Sequence, residues 1–198
     1  MMPFTDYRIT SNYGWRIHPL DNIRKFHAGI DLVKYHRAPI RPFVGGKVVY
    51  AGVGKSGTGV GGYGNVVAIK ADDGTCHVYC HLDSVAVKVN SQVGTNTVIG
   101  YQGKTGKVTG SHLHYEIRKK SSPSLGWTSD QSTSTHNPIA YLGGVKRVVT
   151  KLKVDGSMGP ATIKRLQQFL GVKQDGVIST PTSNMVKELQ KFLNNYGQ

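Results

Sequence analysis

Asp72-Asp73-Gly74 stands between two runs of strand-forming residues, Asn65–Lys70 and Thr75–His81. An Asp-Gly step in that setting is a strong short-range hairpin signal, and it commits this part of the chain to antiparallel pairing. Alternation along the second run predicts His77, Tyr79 and His81 on one face, with Cys76, Val78 and Cys80 on the other. Other segments fit the same scheme. Gly45-Gly46 opens a strand over Lys47–Ala51, short strands fall within 88–94 and 98–100, and His112–Arg118 closes the body. Residues 5–17 read as an opening strand and turn. Two prolines between Ala38 and Phe43 exclude helix interior and central strand there. The 25 glycines supply the tight turns that such a body needs. The expected fold class is mainly β with antiparallel pairing, followed by a small helical C-terminal module.

The domain plan follows from where periodicity stops. Residues 119–136 are polar, Ser/Thr-rich and aperiodic, as a surface loop is. Asn137-Pro138 and the apolar residues to Leu142 end a first domain over 1–142, and Gly143-Gly144 begins a linker over 143–150. The remainder, 151–198, repeats itself weakly. Asp155-Gly156 precedes Pro160 and a helix over 163–170 with Gly171 as its cap. Asp175-Gly176 precedes Pro181 and a helix over 182–194. Leu166-Gln-Gln-Phe-Leu170 is echoed by Leu189-Gln-Lys-Phe-Leu193.

Several function classes drop out. No apolar run reaches about 18 residues, so membrane insertion is not expected. Residues 1–16 hold no apolar signal core, so no secretory signal is expected. Cys76 and Cys80 lie about 13 Å apart on a strand, too far for a disulfide, and read as core thiols. The glycine-rich stretch 52–64 contains a G-x-G-x-x-G match at Gly57, Gly59 and Gly62, but a strand follows it where a dinucleotide site needs a helix. Gly54-Lys55-Ser56 lacks the P-loop's earlier glycine, because Val49 holds that place. A hairpin loop forming one wall of a substrate groove is the better reading. The net charge of +14 suits a polyanionic partner. Nucleic acid is one candidate, although no basic recognition helix and no aromatic nucleic-acid motif is present. A bacterial wall carrying anionic polymers is another, and charge alone does not choose between them.

The chemistry concentrates in three stretches. His27 and Asp31, four apart, can reach one metal from a turn. His112 and His114 share a strand face with Glu116 by parity, and His81 lies on a third strand. Zinc catalysis needs three protein ligands and an open position for water, with a neutral imidazole nearby to move protons. Parity does not decide whether His112 or His114 touches the metal. His18, before a proline, is a loop residue and a weaker ligand candidate.

Phe26-His27-Ala28-Gly29-Ile30-Asp31, Tyr79-x-His81-Leu82 and Gly110-Ser111-His112-Leu113-His114-Tyr115-Glu116 resemble the three motifs of the lysostaphin/LytM-type zinc endopeptidases. Thr10–Arg16 and Asn137-Pro138 match as well, so the resemblance covers roughly residues 8–142. It implies a compact antiparallel β fold with a narrow groove, and one Zn2+ held by His27, Asp31 and His114. It also implies His81 and His112 as the catalytic pair, with His112 as general base and His81 holding or stabilising the oxyanion. Glu116 is a candidate partner for a ligand imidazole. The tail resembles a peptidoglycan-binding repeat module through Asp155-Gly156-Ser157-x-Gly159-Pro160-x-Thr162.

The expected protein is therefore a monomeric zinc endopeptidase that cuts peptide cross-bridges or stem peptides of bacterial peptidoglycan. The whole resembles a bacteriophage endolysin, made in the host cytoplasm and acting on the wall after release. The alternatives are a virion-associated wall hydrolase and a catalytically inactive wall-binding or regulatory protein of the same fold.

Overall fold

The computed structural model describes residues 4–17, 22–144, 158–170, 177–178, 186–187 and 189–190. His18, the Asp155-Gly156 turn, the Gly171 cap and most of the second tail helix lie outside these residues. Among the described residues twelve strands occur in order. They are β1 (Arg8–Ser11), β2 (Gly14–Ile17), β3 (Arg24–His27), β4 (Gly29–Val33), β5 (Pro39–Ile40) and β6 (Gly46–Val53). Then come β7 (Asn65–Lys70), β8 (Cys76–Val85), β9 (Gln92–Val93), β10 (Gly100–Gln102), β11 (Leu113–Arg118) and β12 (Thr135–His136). The main sheet runs β1-β4-β11-β8-β7-β6-β9, with β10 joined to β8 and β5, and β12 joined to β11. β2 and β3 form a separate two-stranded ribbon. Every pairing is antiparallel. The fold is thus mainly β, as the alternating runs predict.

The β7–β8 hairpin forms where Asp72-Asp73-Gly74 places it. The Gly74 N–H donates to Ala71 O, and Asp73 Oδ1 accepts from both the N–H and the hydroxyl of Thr75. Alternation then sorts side chains into two apolar layers. Val67, Ile69, Tyr79, Leu113, Tyr115 and Ile117 join Ile30 and Leu32 in the larger core. Val66, Ala68, Cys76, Val78 and Cys80 form the smaller one on the other face. On β11 that second face carries His114, Glu116 and Arg118, in register with Cys80, Val78 and Cys76 of β8. Both cysteines are free and buried.

Parity fails at one informative place. Strict alternation would leave His81 beside Tyr79, turned away from His114. Instead His81 takes a left-handed backbone with φ 61°, a conformation uncommon outside glycine and costly to hold. The kink brings its ring to the face of His114 and within 5.0 Å of the His112 ring, centroid to centroid. The pairing on both sides of β8 shifts near this point. The His81 N–H donates to Tyr63 O at 2.9 Å, which ties the kink to the glycine-rich loop.

The polar segment 119–136 is more than a loop. Asp130 caps a one-turn helix, α1 (Gln131–Ser134), and β12 then adds to the end of β11. Two strand residues carry no periodic signal, so sequence alone does not reveal them. Asn137 Oδ1 accepts from the Ile139 and Ala140 N–H groups and starts α2 (Pro138–Gly144). In the tail, α3 (Pro160–Leu170) has Pro160 at its first position, as expected.

Gly29, on β4 opposite Glu116, has no room for a side chain. A Cβ there would lie 2.3 Å from the Tyr115 carbonyl oxygen. Gly29→Ala should therefore lower unfolding stability by about 1–3 kcal/mol in urea titration, and unchanged stability would contradict the close approach. A second outcome concerns His77, which is fully buried. Its Nδ1 accepts from the Tyr115 hydroxyl at 2.6 Å and its Nε2–H donates to Thr75 Oγ1 at 3.1 Å. Burial pushes its pKa from 6.5 down to about 4. The unfolded chain takes up this proton at higher pH than the folded one. Stability should fall as pH drops from about 6.5 to about 4, then lose this dependence below that. His77→Gln, which does not titrate, should flatten that part of the pH–stability curve. An unaltered slope would remove His77 as its cause.

Candidate metal centre

His27 ends β3 and Asp31 sits in the middle of β4, with the chain turning at Ala28 between them. Asp31 is paired directly opposite His114 across β4 and β11. Turn and register bring three donor atoms together. His114 Nδ1 lies 2.8 Å from Asp31 Oδ1, His27 Nε2 lies 3.3 Å from the same oxygen, and the two nitrogens are 3.1 Å apart. Ligand atoms on a tetrahedral zinc, each about 2.0–2.1 Å from the ion, stand roughly 3.3 Å from one another. The triangle has the right size.

The outer partners fix which ring nitrogen offers a lone pair. The His27 Nδ1–H donates to Asn12 O at 2.8 Å, leaving Nε2 for the centre. The His114 Nε2–H donates to Glu116 Oε1 at 3.0 Å, leaving Nδ1. Two lone pairs and a carboxylate oxygen then converge, an arrangement that requires a positive charge among them. In the metal-free protein a proton on His114 supplies it. Burial alone would lower this imidazole, but hydrogen bonds to Asp31 and Glu116 raise its pKa to about 9. A cation and this proton compete for the same nitrogen. Burial alone would also raise Asp31, yet hydrogen bonds from His114 and His27 hold it far below the usual carboxylate range. The donor set, two imidazoles and a carboxylate, fits Zn2+.

Glu116 is itself held. It is fully buried, and its Oε2 accepts from Arg118 Nε–H at 2.7 Å while its Oε1 accepts from the Tyr63 hydroxyl at 2.8 Å. Burial would raise its pKa, but the Arg118 charge and the His114 hydrogen bond hold it well below the ordinary carboxylate range. Parity along β11 finds Arg118 once it is carried two residues past Glu116. Tyr63 comes from the glycine-rich loop, where no periodicity marks it.

The two other histidines stand beside this triangle. His112 donates Nδ1–H to Gly110 O at 2.9 Å and presents Nε2 at 3.6 Å from Asp31 Oδ1. His81 donates Nδ1–H to Thr105 O at 2.9 Å. Burial and the neighbouring His114 charge push its pKa down to about 3, so it is neutral at pH 7 and its Nε2 accepts. All five residues line a groove of about 670 Å³. The β2–β3 ribbon, Gly61–Tyr63 of the glycine-rich loop and residues 107–111 form its walls, and Gln131 contributes from the polar segment.

Comparison with known proteins fits this architecture. The profile of Peptidase family M23 matches residues 25–125, just over half of the chain. DD-carboxypeptidase/endopeptidase Mpg of Neisseria gonorrhoeae is 36% identical over 121 residues, which is 61% of this chain and 26% of that protein. Glycyl-glycine endopeptidase ALE-1 of Staphylococcus capitis is 35% identical over 105 residues, 52% of this chain and 28% of that protein. The match thus spans about a quarter of the length of these relatives. The catalytic domain of lysostaphin from Staphylococcus simulans superposes with a TM-score of 0.58 at 26% identity, covering 71% of this chain and 95% of that domain. With its histidine and aspartate donors inside the matched segment and its sheet shared with that domain, the chain belongs to peptidase family M23.

Proposed function

We propose that this chain is a zinc-dependent endopeptidase that hydrolyses peptide cross-bridges or stem peptides of bacterial peptidoglycan. One observation carries the reading: His27 Nε2, Asp31 Oδ1 and His114 Nδ1 converge within 2.8–3.3 Å at the floor of an open groove. In this assignment those three residues are the ligands. Zinc bound there supplies Lewis acidity, able to bring a water's pKa towards about 7 and to polarise a carbonyl. Glu116, anchored by Arg118, holds the His114 ring and its tautomer. His112 acts as general base through Nε2 and returns the proton to the leaving amine. The imidazolium formed in between faces the Asp31 carboxylate.

For His81 we depart from the expected oxyanion role. Stabilising an oxyanion needs a proton on Nε2, and the depressed pKa of the buried ring works against it. We assign it to accept a hydrogen bond from the attacking water and orient it. Similarity to Mpg and ALE-1, whose names describe endopeptidases, supports the reaction class. The weakly repeated tail over 151–198 and the +14 charge support a wall-anchored lytic enzyme, such as a bacteriophage endolysin.

Purified walls should clear in a turbidity assay with the zinc-loaded protein, and exhaustive chelation should abolish clearing. Activity that survives chelation refutes the zinc reading. His114→Ala should lose metal. His112→Ala should keep stoichiometric metal and lose about 10²–10⁴-fold in turnover. Metal loss in His112→Ala with full retention in His114→Ala would reverse the assignment.

A further inference from the structure

The groove's charged lining is unequal. Its carboxylates, among the described residues, are Asp31 and Glu116, and both are already engaged: Asp31 by His27 and His114, Glu116 by Arg118, His114 and Tyr63. Against them stand Arg16 and Lys107. Arg16 lies on the β2–β3 ribbon. Lys107 comes from another wall, where its N–H donates to Gly62 O at 3.0 Å.

Arg16 is the informative member. Its Nη2 reaches only to 4.0 Å of Asp31 Oδ2, the outer limit of an ion pair. Its Nε is buried and has no hydrogen-bond partner among the described residues. A guanidinium presents its N–H groups as a planar fork that matches a carboxylate. Here the fork stands beside a metal-ligating carboxylate with donor capacity in hand. The side chain as a whole is 29% exposed and lines the groove, so an anionic group bound there would accept from the outer N–H groups of the fork.

We propose that Arg16, with Lys107, forms a subsite for a free carboxylate of the peptide being cut, so that the preferred substrate is an anionic stem peptide and not an uncharged glycine bridge. The inference rests on the peptidase reading and deepens it by naming the substrate class. Position argues for a carboxylate of the substrate itself, because a ligand touching both Arg16 and the neighbourhood of Asp31 is the molecule at the reacting centre. No covalent step is added. The subsite binds and orients.

The test uses the zinc-loaded full chain and one cross-linked stem-peptide dimer in two forms, free acid and fully amidated. Amidation removes the charge and keeps the shape. Cleavage kinetics and direct binding by fluorescence anisotropy are both read. The free acid should have a KM about ten- to hundredfold lower than the amide, with similar kcat. Arg16→Gln should raise KM for the free acid alone, with zinc content retained, and Lys107→Gln should do so more weakly. Equal handling of both forms by the wild-type protein overturns the subsite. So does an Arg16→Gln variant that slows both forms alike, since that marks a residue acting only through Asp31. Preferential binding of the free acid with no cleavage of either form would leave the subsite standing and overturn the peptidase reading instead. Cleavage of both forms at equal efficiency would do the opposite.

Discussion

Asp31 and His114 face each other across β4 and β11, and the rest of the centre is built on that pairing. A slip of one residue between these strands would send one of the two side chains through the sheet into the apolar core. The register is held from both faces. Ile30 and Leu32 alternate with Asp31 and pack into the same core as Leu113, Tyr115 and Ile117. Gly29, opposite Glu116, lets β4 approach so closely that no side chain fits. Hydrophobic packing beneath the sheet therefore fixes the position of polar atoms above it.

The polar side of that sheet forms a graded chain of charge. Arg118 holds Glu116, Glu116 holds one nitrogen of His114, and the other nitrogen faces Asp31. A buried Arg–Glu pair is weak evidence for stability, because desolvation offsets much of its Coulomb attraction. Its value here is geometric. Glu116 and Arg118 are both fully buried, on a strand packed on both edges. The His114 ring thus has little freedom to swing away when its donor nitrogen is empty. His27 is steadied by a backbone carbonyl instead, that of Asn12, just ahead of the β2–β3 ribbon. The ribbon that carries Arg16 and Lys25 into the groove also carries His27.

Loops provide what the strands do not. Tyr63 reaches Glu116 from the glycine-rich loop, and Thr105 holds His81 from the loop before β11. The two loops also clasp each other. Gly64, with φ 66°, lies against Thr105 too closely for a Cβ, and Thr105 Oγ1 accepts from the Asn65 N–H. The glycines of 52–64 thus do not mark a nucleotide site. They let a wall of the groove fold back on itself and close on the histidines.

The sequence by itself determined the β architecture, the β7–β8 hairpin, and the common face of His114 and Glu116. Each of these is a consequence of local periodicity or turn chemistry, which a strand carries in its own residues. It also marked His27, Asp31, His81, His112 and His114 as chemistry-bearing through their spacing and the family resemblance. Only the tertiary structure decided which donors meet, because the distances between His27, Asp31 and His114 depend on a register between strands far apart in the chain. Tertiary structure also overrode parity at His81, where a left-handed residue tied to Tyr63 and Thr105 turns the ring to the opposite face. It alone gave Arg16 its place, since a cation is ordinary in a sequence and significant only once the acids around it are seen to be engaged.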